Sequence, residues 1–401
     1  MASRTPITDP GATSAAAGTR RGSAGAGGTG GADAAAGAGV AEARQPVRGL
    51  VVDRCLTPAD RRAALARDVR AGLTAQPREL PPKWFYDMTG SMLFEKITQL
   101  PEYYPTRCEH AILTAHAAEI AAACPAATLI ELGSGTSRKT RMLLDALLDA
   151  GTLRRFVAFD VDESTLVQSG QALLRRYPGL SVYAVVGDFE HHLDRLPYGP
   201  APGGTQPGPA GDQDRDRRRG RDRAGGEGAA AERRLVALLG STIGNLRPSA
   251  RGKLLRTLCR QLRAGDGLLL GTDLVKDPDR LLAAYDDSAG MTAAFNRNML
   301  SVINRELGAD FNLRGFAHVA AWDPANHWVE MRLRSIRAQE VGVRALDLVA
   351  RFDEDEEMRT EISAKFTLDG VAAELADAGL AVVDRWTDPD RDFALTLATP
   401  A

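Results

Sequence analysis

Short apolar runs alternate with helical patterns along much of the chain, and this alternation restricts the possible folds more than any other feature. The runs are typical of buried strands, and they lie at 128–132, 155–159, 181–186, 235–239 and 267–271. Patterns with helical spacing of apolar residues lie at 107–123, 140–150, 164–177 and 249–262. Strands that alternate with helices form right-handed crossovers and a mostly parallel sheet. The sequence therefore predicts an α/β fold with a doubly wound sheet.

The C-terminal segment has a different pattern. Residues 380–386 and 393–399 are strand-like runs joined by the turn sequence Thr387-Asp388-Pro389-Asp390. This arrangement indicates an antiparallel hairpin at the edge of the sheet.

Two further stretches, 49–106 and 276–365, also fall outside the alternation. The second contains strand-like runs at 316–322 and 327–335. We predict that both stretches form a smaller α+β lobe, whereas 107–275 and 366–401 form the main domain. Ligands of open α/β sheets bind at the carboxyl ends of the strands, so this lobe is expected to cover that edge and bind the substrate.

Two segments, 1–48 and 199–234, have the composition of low-complexity sequence. The first is rich in Ala and Gly, and the second in Gly, Arg and Pro. Such segments bury too little apolar surface to offset the entropy lost on ordering, so both are predicted to be disordered. The second would be an insertion within the main domain, either a passive spacer or a protein-interaction segment.

Composition excludes several classes of protein. The 401-residue chain has a formal net charge of −2, which gives no support for nucleic-acid binding. It contains neither an apolar run long enough to span a membrane nor the apolar segment of a secretory signal. Its four cysteines are far apart, so neither a zinc site nor a disulfide framework is expected. We expect a cytoplasmic monomer without a metal.

Glycines and carboxylates follow three successive predicted strands. Gly133 and Gly135 end the first strand, where they would let a ligand approach the backbone at a helix N-terminus. Asp160 ends the second strand, where its carboxylate can accept hydrogen bonds from a ribose diol. Asp188 and Phe189 follow the third strand and offer a carboxylate and an aromatic face for adenine. The set resembles the class I S-adenosylmethionine methyltransferases.

Two other interpretations of these residues exist. A nicotinamide enzyme also has an acidic residue after the second strand, but the third glycine of the dinucleotide fingerprint is missing here. Lys139 could hold the carboxylate of the cofactor, or it could be a solvated helix residue.

Six groups of residues, in order along roughly residues 50–400, narrow the assignment. They are Pro82–Asp87, Leu100–Arg107, Glu131–Thr140, Leu239–Asn245, Tyr285 with Thr292–Asn296, and Arg359–Phe366. Together they resemble the ergothioneine-pathway L-histidine Nα-methyltransferases. The resemblance implies that S-adenosyl-L-methionine donates three methyl groups to the α-amino group of L-histidine. The product would be Nα,Nα,Nα-trimethyl-L-histidine (hercynine), in the first step of ergothioneine biosynthesis.

The resemblance also implies the residues of the site. The cofactor contacts would be Gly133, Lys139, Asp160, Asp188 and Phe189. The histidine contacts would be Tyr103, Gly240, Asn245, Tyr285, Glu361, Ile362 and Ser363. The residues closest to the chemistry would be Tyr86 and Asn245.

The residue types suit these roles. Asn245 and Tyr285 offer neutral hydrogen bonds for the α-carboxylate and the amine. Glu361 and Ser363 are two apart on a predicted strand, so both face the same side and can hold the two imidazole nitrogens. Tyr86, or a water that it holds, could orient the lone pair of the attacking amine.

Two alternative functions remain open. Another amino acid, such as a tryptophan derivative, could be the substrate, although an indole offers a single donor and would not use both Glu361 and Ser363. A regulatory protein that binds S-adenosylmethionine without turnover is the second alternative.

Overall fold

The apolar runs form the centre of an eight-stranded sheet in the computed structural model, which describes residues 50–196 and 232–401. The strands within these ranges are β1 Leu50–Arg54, β2 Thr128–Leu132, β3 Arg155–Asp160, β4 Ser181–Val186, β5 Arg234–Leu238, β6 Gly267–Asp273, β7 Phe316–Asp323, β8 Trp328–Ser335, β9 Gln339–Val343, β10 Leu348–Phe352, β11 Glu357–Ala364, β12 Leu380–Thr387 and β13 Phe393–Pro400. The α-helices are α1 Pro58–Thr74, α2 Met88–Ile97, α3 Tyr104–Ala123, α4 Thr140–Asp149, α5 Glu163–Arg176, α6 Phe189–His192, α7 Pro248–Gln261, α8 Pro278–Tyr285, α9 Met291–Leu307 and α10 Leu368–Asp377.

The main sheet has the strand order β1-β4-β3-β2-β5-β6-β13-β12. Its first six strands are parallel, and the hairpin β12–β13 joins the edge through antiparallel pairing of β13 with β6. Leu129 and Ile130 of β2 are fully buried in hydrophobic cores on opposite faces. Because both faces are covered, successive residues of a strand are apolar, which explains the uninterrupted runs. The predicted doubly wound sheet and C-terminal edge hairpin are confirmed.

Two predicted boundaries are wrong. The sequence predicts residues 50–54 in the second lobe, but they form β1 and pair in parallel with β4. Arg234 was placed in the low-complexity segment, yet it begins β5 and is buried. Its guanidinium Nε donates to Asp266 Oδ2 at 2.9 Å. The carboxylate that compensates this arginine lies far along the chain, so local composition could not reveal it. Residues 1–48 and 199–231, both predicted to be disordered, lie outside the described residues.

A second group of elements packs over the carboxyl ends of the main sheet. The sheets β11–β8–β7 and β10–β9 share a hydrophobic core with the helices α1, α2 and α9. This core includes Phe85, Phe295, Met299 and Phe316. The strands predicted at 316–322 and 327–335 are confirmed as an antiparallel pair. The remaining limits of the two lobes stay a prediction. Within the described ranges, the helices are too short or too polar to cross a membrane.

Candidate active site

A cleft of about 910 Å³ lies between the carboxyl ends of the central strands and the second group of elements. Every residue that the sequence predicted for the cofactor, the substrate or the chemistry lines this cleft: Tyr86, Tyr103, Gly133, Lys139, Asp160, Asp188, Phe189, Gly240, Asn245, Tyr285, Glu361, Ile362 and Ser363. The fold therefore brings into one site residues from both parts of the chain. Their individual roles stay predictions.

The turn after β2 is tied to the end of β3. Gly133 and Gly135 have φ angles of 70° and 47°, a left-handed conformation that glycine adopts without steric cost. The Gly135 N–H donates to Asp160 Oδ2 at 2.9 Å, and the Asp162 N–H donates to Asp160 Oδ1 at 3.0 Å. Burial raises the pKa of Asp160 despite these bonds. The carboxylate thus holds the turn in place while it faces the cleft.

The same turn carries polar atoms with unused hydrogen-bonding capacity. Ser134 and Ser137 line the cleft, and their Oγ atoms are buried without a hydrogen-bond partner within the described residues. Buried hydroxyls are normally hydrogen-bonded. The glycine turn therefore keeps hydrogen-bonding capacity that fits a polar ligand in the cleft.

Asp188 follows β4 and caps the N-terminus of α6, where it accepts from the Glu190 N–H at 2.9 Å. Lys83, from the second group of elements, places Nζ 3.2 Å from Asp188 Oδ2. Burial alone would raise the pKa of Asp188, but Lys83 and the Glu190 N–H lower it overall. Asp188 is therefore an ionised acceptor, next to the half-buried ring of Phe189. Sequence reasoning missed Lys83, although it lies within the Pro82–Asp87 motif.

Glu109 connects the part of the cleft predicted for the cofactor with the part predicted for histidine. Its side chain is fully buried, forms an ion pair with Lys139, and accepts through Oε1 from the Gly240 N–H at 2.6 Å. The lysine predicted for the cofactor and the glycine predicted for histidine thus share one carboxylate. Sequence reasoning missed Glu109. Its only signal was an acidic residue on the otherwise apolar face of the helix predicted at 107–123.

Hydroxyl, ammonium and carboxylate groups gather at the end of β11. Tyr285 Oη and Ser363 Oγ are 2.7 Å apart, and Lys365 Nζ lies 2.8 Å and 2.9 Å from them. Although the cleft leaves part of Glu361 exposed, its surroundings desolvate the carboxylate and raise its pKa to about 8, against the opposing effect of Lys365. Tyr285, Glu361 and Ser363 of this group line the cleft, where they offer hydrogen-bond donors and an acceptor.

Asn245 lies directly beside this group. With its amide nitrogen oriented toward β11, it donates to Glu361 Oε1 at 3.2 Å and to the Ile362 carbonyl at 3.3 Å. The amide oxygen then faces away from Glu361. The Ile362 side chain packs into the core below the sheet, so the backbone of this residue is the part that faces Asn245.

Comparison with known sequences identifies the family of the chain that forms this cleft. A family profile described as histidine-specific, SAM-dependent methyltransferase matches residues 65–206 and 217–400. The chain belongs to this methyltransferase family.

Relatives of this methyltransferase cover nearly the same extent of sequence. The histidine N-alpha-methyltransferase of Mycolicibacterium smegmatis is 55% identical over 84% of this chain and 94% of its own length. The enzyme of the same name from Mycobacterium tuberculosis is 53% identical over the same shares. A more distant relative is the 4-dimethylallyltryptophan N-methyltransferase of Aspergillus fumigatus, which is 25% identical over 83% of this chain and 92% of its own length.

Aromatic side chains form one wall of the cleft of this methyltransferase. The Tyr86 ring contacts Phe94 and Phe295 at centroid distances of 5.8 Å and 5.5 Å, and Tyr103 lies 6.4 Å from Tyr285. Burial, followed by the charge of Glu361, raises the pKa of Tyr86 well above 10. Tyr86 is therefore a neutral phenol at physiological pH, which suits hydrogen bonding and excludes a phenolate base.

Proposed function

We propose that this methyltransferase transfers three methyl groups from S-adenosyl-L-methionine to the α-amino group of L-histidine and so forms hercynine for ergothioneine biosynthesis. The observation that carries the proposal is the combination of Glu361 with the Tyr285–Ser363 hydroxyl pair at one end of the cleft. A neutral imidazole needs one acceptor for its N–H and one donor for its other nitrogen. The Glu361 carboxyl supplies the acceptor and the hydroxyl pair supplies the donor. Because Tyr285 Oη is hydrogen-bonded to Ser363 Oγ, we assign Tyr285 to the imidazole end of histidine and not to the α-carboxylate or the amine. The two histidine N-alpha-methyltransferases among the relatives support the same substrate.

The rest of the cleft would hold the cofactor and the α-amino end of histidine. Asp160 and Asp188 would accept from the ribose hydroxyls and the adenine, and Phe189 would lie against the base. Gly133 and Lys139 would contact the methionine group. The Asn245 amide, together with Tyr103 and the backbone at Gly240, would hold the amino-acid end of histidine. We extend the proposal to a cytoplasmic monomer that needs no metal.

The chemistry requires alignment more than acid–base catalysis. S-adenosylmethionine supplies a methyl group bound to a positively charged sulfonium. The histidine amine attacks only through a free lone pair, so its ammonium, with a pKa of roughly 8 for an α-amino group, must lose a proton before each transfer. A neutral Tyr86 cannot take this proton, so water receives it, and Tyr86 orients the lone pair. The anchored imidazole and the dry aromatic wall supply positioning and desolvation.

Mass spectrometry of the reaction tests the proposed function directly. The full chain is incubated with S-adenosylmethionine and, in separate reactions, with histidine or tryptophan. Histidine is expected to gain the mass of three methylene units through two intermediates, whereas tryptophan remains unchanged. Methylation of tryptophan alone would make a tryptophan derivative the substrate, which the distant fungal relative favours. Cofactor binding without methylation of either amino acid would indicate the regulatory protein.

Replacing Tyr86 by Phe removes the phenol and keeps the aromatic packing. We expect the rate of methyl transfer to fall by about three- to tenfold, the value of one neutral hydrogen bond, with histidine affinity unchanged. Single-turnover measurements for each of the three transfers check this. The control is Tyr177→Phe, whose hydroxyl lies 2.7 Å from Asp145 Oδ1 outside the cleft. Unchanged rates for all three transfers in Tyr86→Phe would remove the orienting role.

A further inference from the structure

Lys365 lies directly behind the two hydroxyls that face the cleft. Its side chain is fully buried, and its Nζ is 2.8 Å from Asp273 Oδ2, a carboxylate that is itself 1% exposed. Within the described part of the chain, the ammonium also lies 2.8 Å from Tyr285 Oη and 2.9 Å from Ser363 Oγ. A lysine ammonium has three protons and no lone pair. All three protons are therefore directed at these three oxygens.

This arrangement restricts what the hydroxyl pair can do. Tyr285 Oη and Ser363 Oγ share one hydrogen bond, so one of their two protons is used between them. The oxygen that accepts this bond also accepts from Lys365, which fills both of its lone pairs. Its own proton is left to point into the cleft. The pair therefore presents a donor, polarised by the neighbouring positive charge.

We propose that Lys365 is a positioning residue that selects the imidazole ring by directing one hydroxyl proton toward the ring nitrogen that carries no proton. This inference rests on the proposed function, because it concerns the histidine end of the cleft. Glu361 accepts the N–H of the other ring nitrogen, so one neutral tautomer satisfies both sides. A ring that lacks an acceptor nitrogen, such as indole or pyrrole, leaves the directed donor without a partner. An unpaired buried donor costs free energy, so the site discriminates against such rings.

Lys276 provides a matched control for Lys365. Its Nζ lies 2.5 Å from the other oxygen of the same carboxylate, Asp273 Oδ1, and 2.9 Å from Tyr104 Oη. Among the residues that the structure describes, Lys276 also donates to the Leu274 carbonyl at 2.6 Å and forms no hydrogen bond with Tyr285 or Ser363. Lys365→Met and Lys276→Met each remove one cation from Asp273, but only the first releases the hydroxyl pair.

The experiment measures binding by calorimetry with S-adenosylhomocysteine present. The ligands are histidine and two analogues, pyrrol-2-ylalanine and pyrrol-3-ylalanine. Each analogue keeps one ring N–H and lacks the acceptor nitrogen, and the two together cover both ring positions. Wild type is expected to bind histidine at least about 30-fold more tightly than the better analogue, as the loss of a buried donor's partner predicts. In Lys365→Met the ratio should fall below about fivefold, whereas Lys276→Met should keep the wild-type ratio.

The ratio separates a positioning role from a structural one. General disruption of the site would weaken histidine and the analogues alike and preserve the ratio, and that outcome would overturn the proposal. An equal fall of the ratio in Lys276→Met would overturn it as well. Wild type that fails to bind histidine would refute the proposed function instead. If Lys365→Met does not fold, Lys365→Met/Asp273→Asn replaces it, with Lys276→Met/Asp273→Asn as its control, since removing both charges avoids an unpaired carboxylate.

Discussion

At pH 8.5, where Glu361 is ionised, Glu361→Gln is expected to weaken histidine binding by about 10- to 100-fold, while S-adenosylmethionine binding stays within about threefold. The substitution keeps the shape of the side chain and removes a charge-assisted acceptor, and such bonds contribute about 1.5–3 kcal/mol. Calorimetry with each ligand separately checks the result. The control is Glu357→Gln on the same strand, where the carboxylate lies 2.6 Å from Arg332 outside the cleft. Equal losses of affinity for the two ligands would contradict the assignment of Glu361 to histidine.

The same variant should remove the pH dependence of stability that Glu361 contributes. The pKa of Glu361 is raised from 4.5 to about 8 in the ligand-free protein. The stability contributed by its neutral form is therefore fully present below about 4.5 and is lost as the pH rises through about 8. Glutamine does not titrate, so ligand-free Glu361→Gln should melt a few degrees above wild type at pH 8.5, with the difference shrinking toward pH 5. A constant difference across this range would show that the carboxyl is not perturbed.

Glu109→Gln is expected to weaken binding of both S-adenosylmethionine and histidine, by roughly 10-fold each. The amide can still accept from the Gly240 N–H, but the ion pair with Lys139 is lost. Lys139 can turn toward the cleft because its side chain is 26% exposed, which moderates the cost of leaving it unpaired. The Lys139 ammonium then moves away from its position between the predicted cofactor contacts and Gly240, so both ligands are affected.

Separate titrations with the two ligands distinguish this variant from Glu361→Gln, which affects histidine alone. Glu119→Gln on the same helix is its control, because Glu119 is exposed and contacts His116 and Trp386 away from the cleft. A loss confined to one ligand would show that Glu109 supports only one half of the site.

Much of the fold is predictable because the buried central strands are visible in the sequence as short runs of apolar residues. β2, β3 and β4 carry helices on both faces, so their runs of apolar residues are uninterrupted and their ends are clear. β1 was misassigned because an edge strand is recognised only by its pairing with β4. Arg234 was misassigned because a charged residue resembles a linker until its partner Asp266 is known.

The sequence by itself determined the α/β fold, the edge hairpin and the strand-end residues of the cleft, because strand periodicity and strand-end motifs are local patterns. The remaining predicted residues that line the cleft came from the family resemblance. Only the tertiary structure decided which charged groups support that cleft. Glu109 meets Gly240 across 131 residues of chain, and Lys83 meets Asp188 across 105. Lys365 and Asp273 come together because the segment after β11 pairs with the end of β6, where the Phe366 N–H donates to the Asp273 carbonyl at 2.8 Å. Buried ion pairs form where folding brings opposite charges together and excludes water. The spacing of charged residues along the chain does not show which of them will meet.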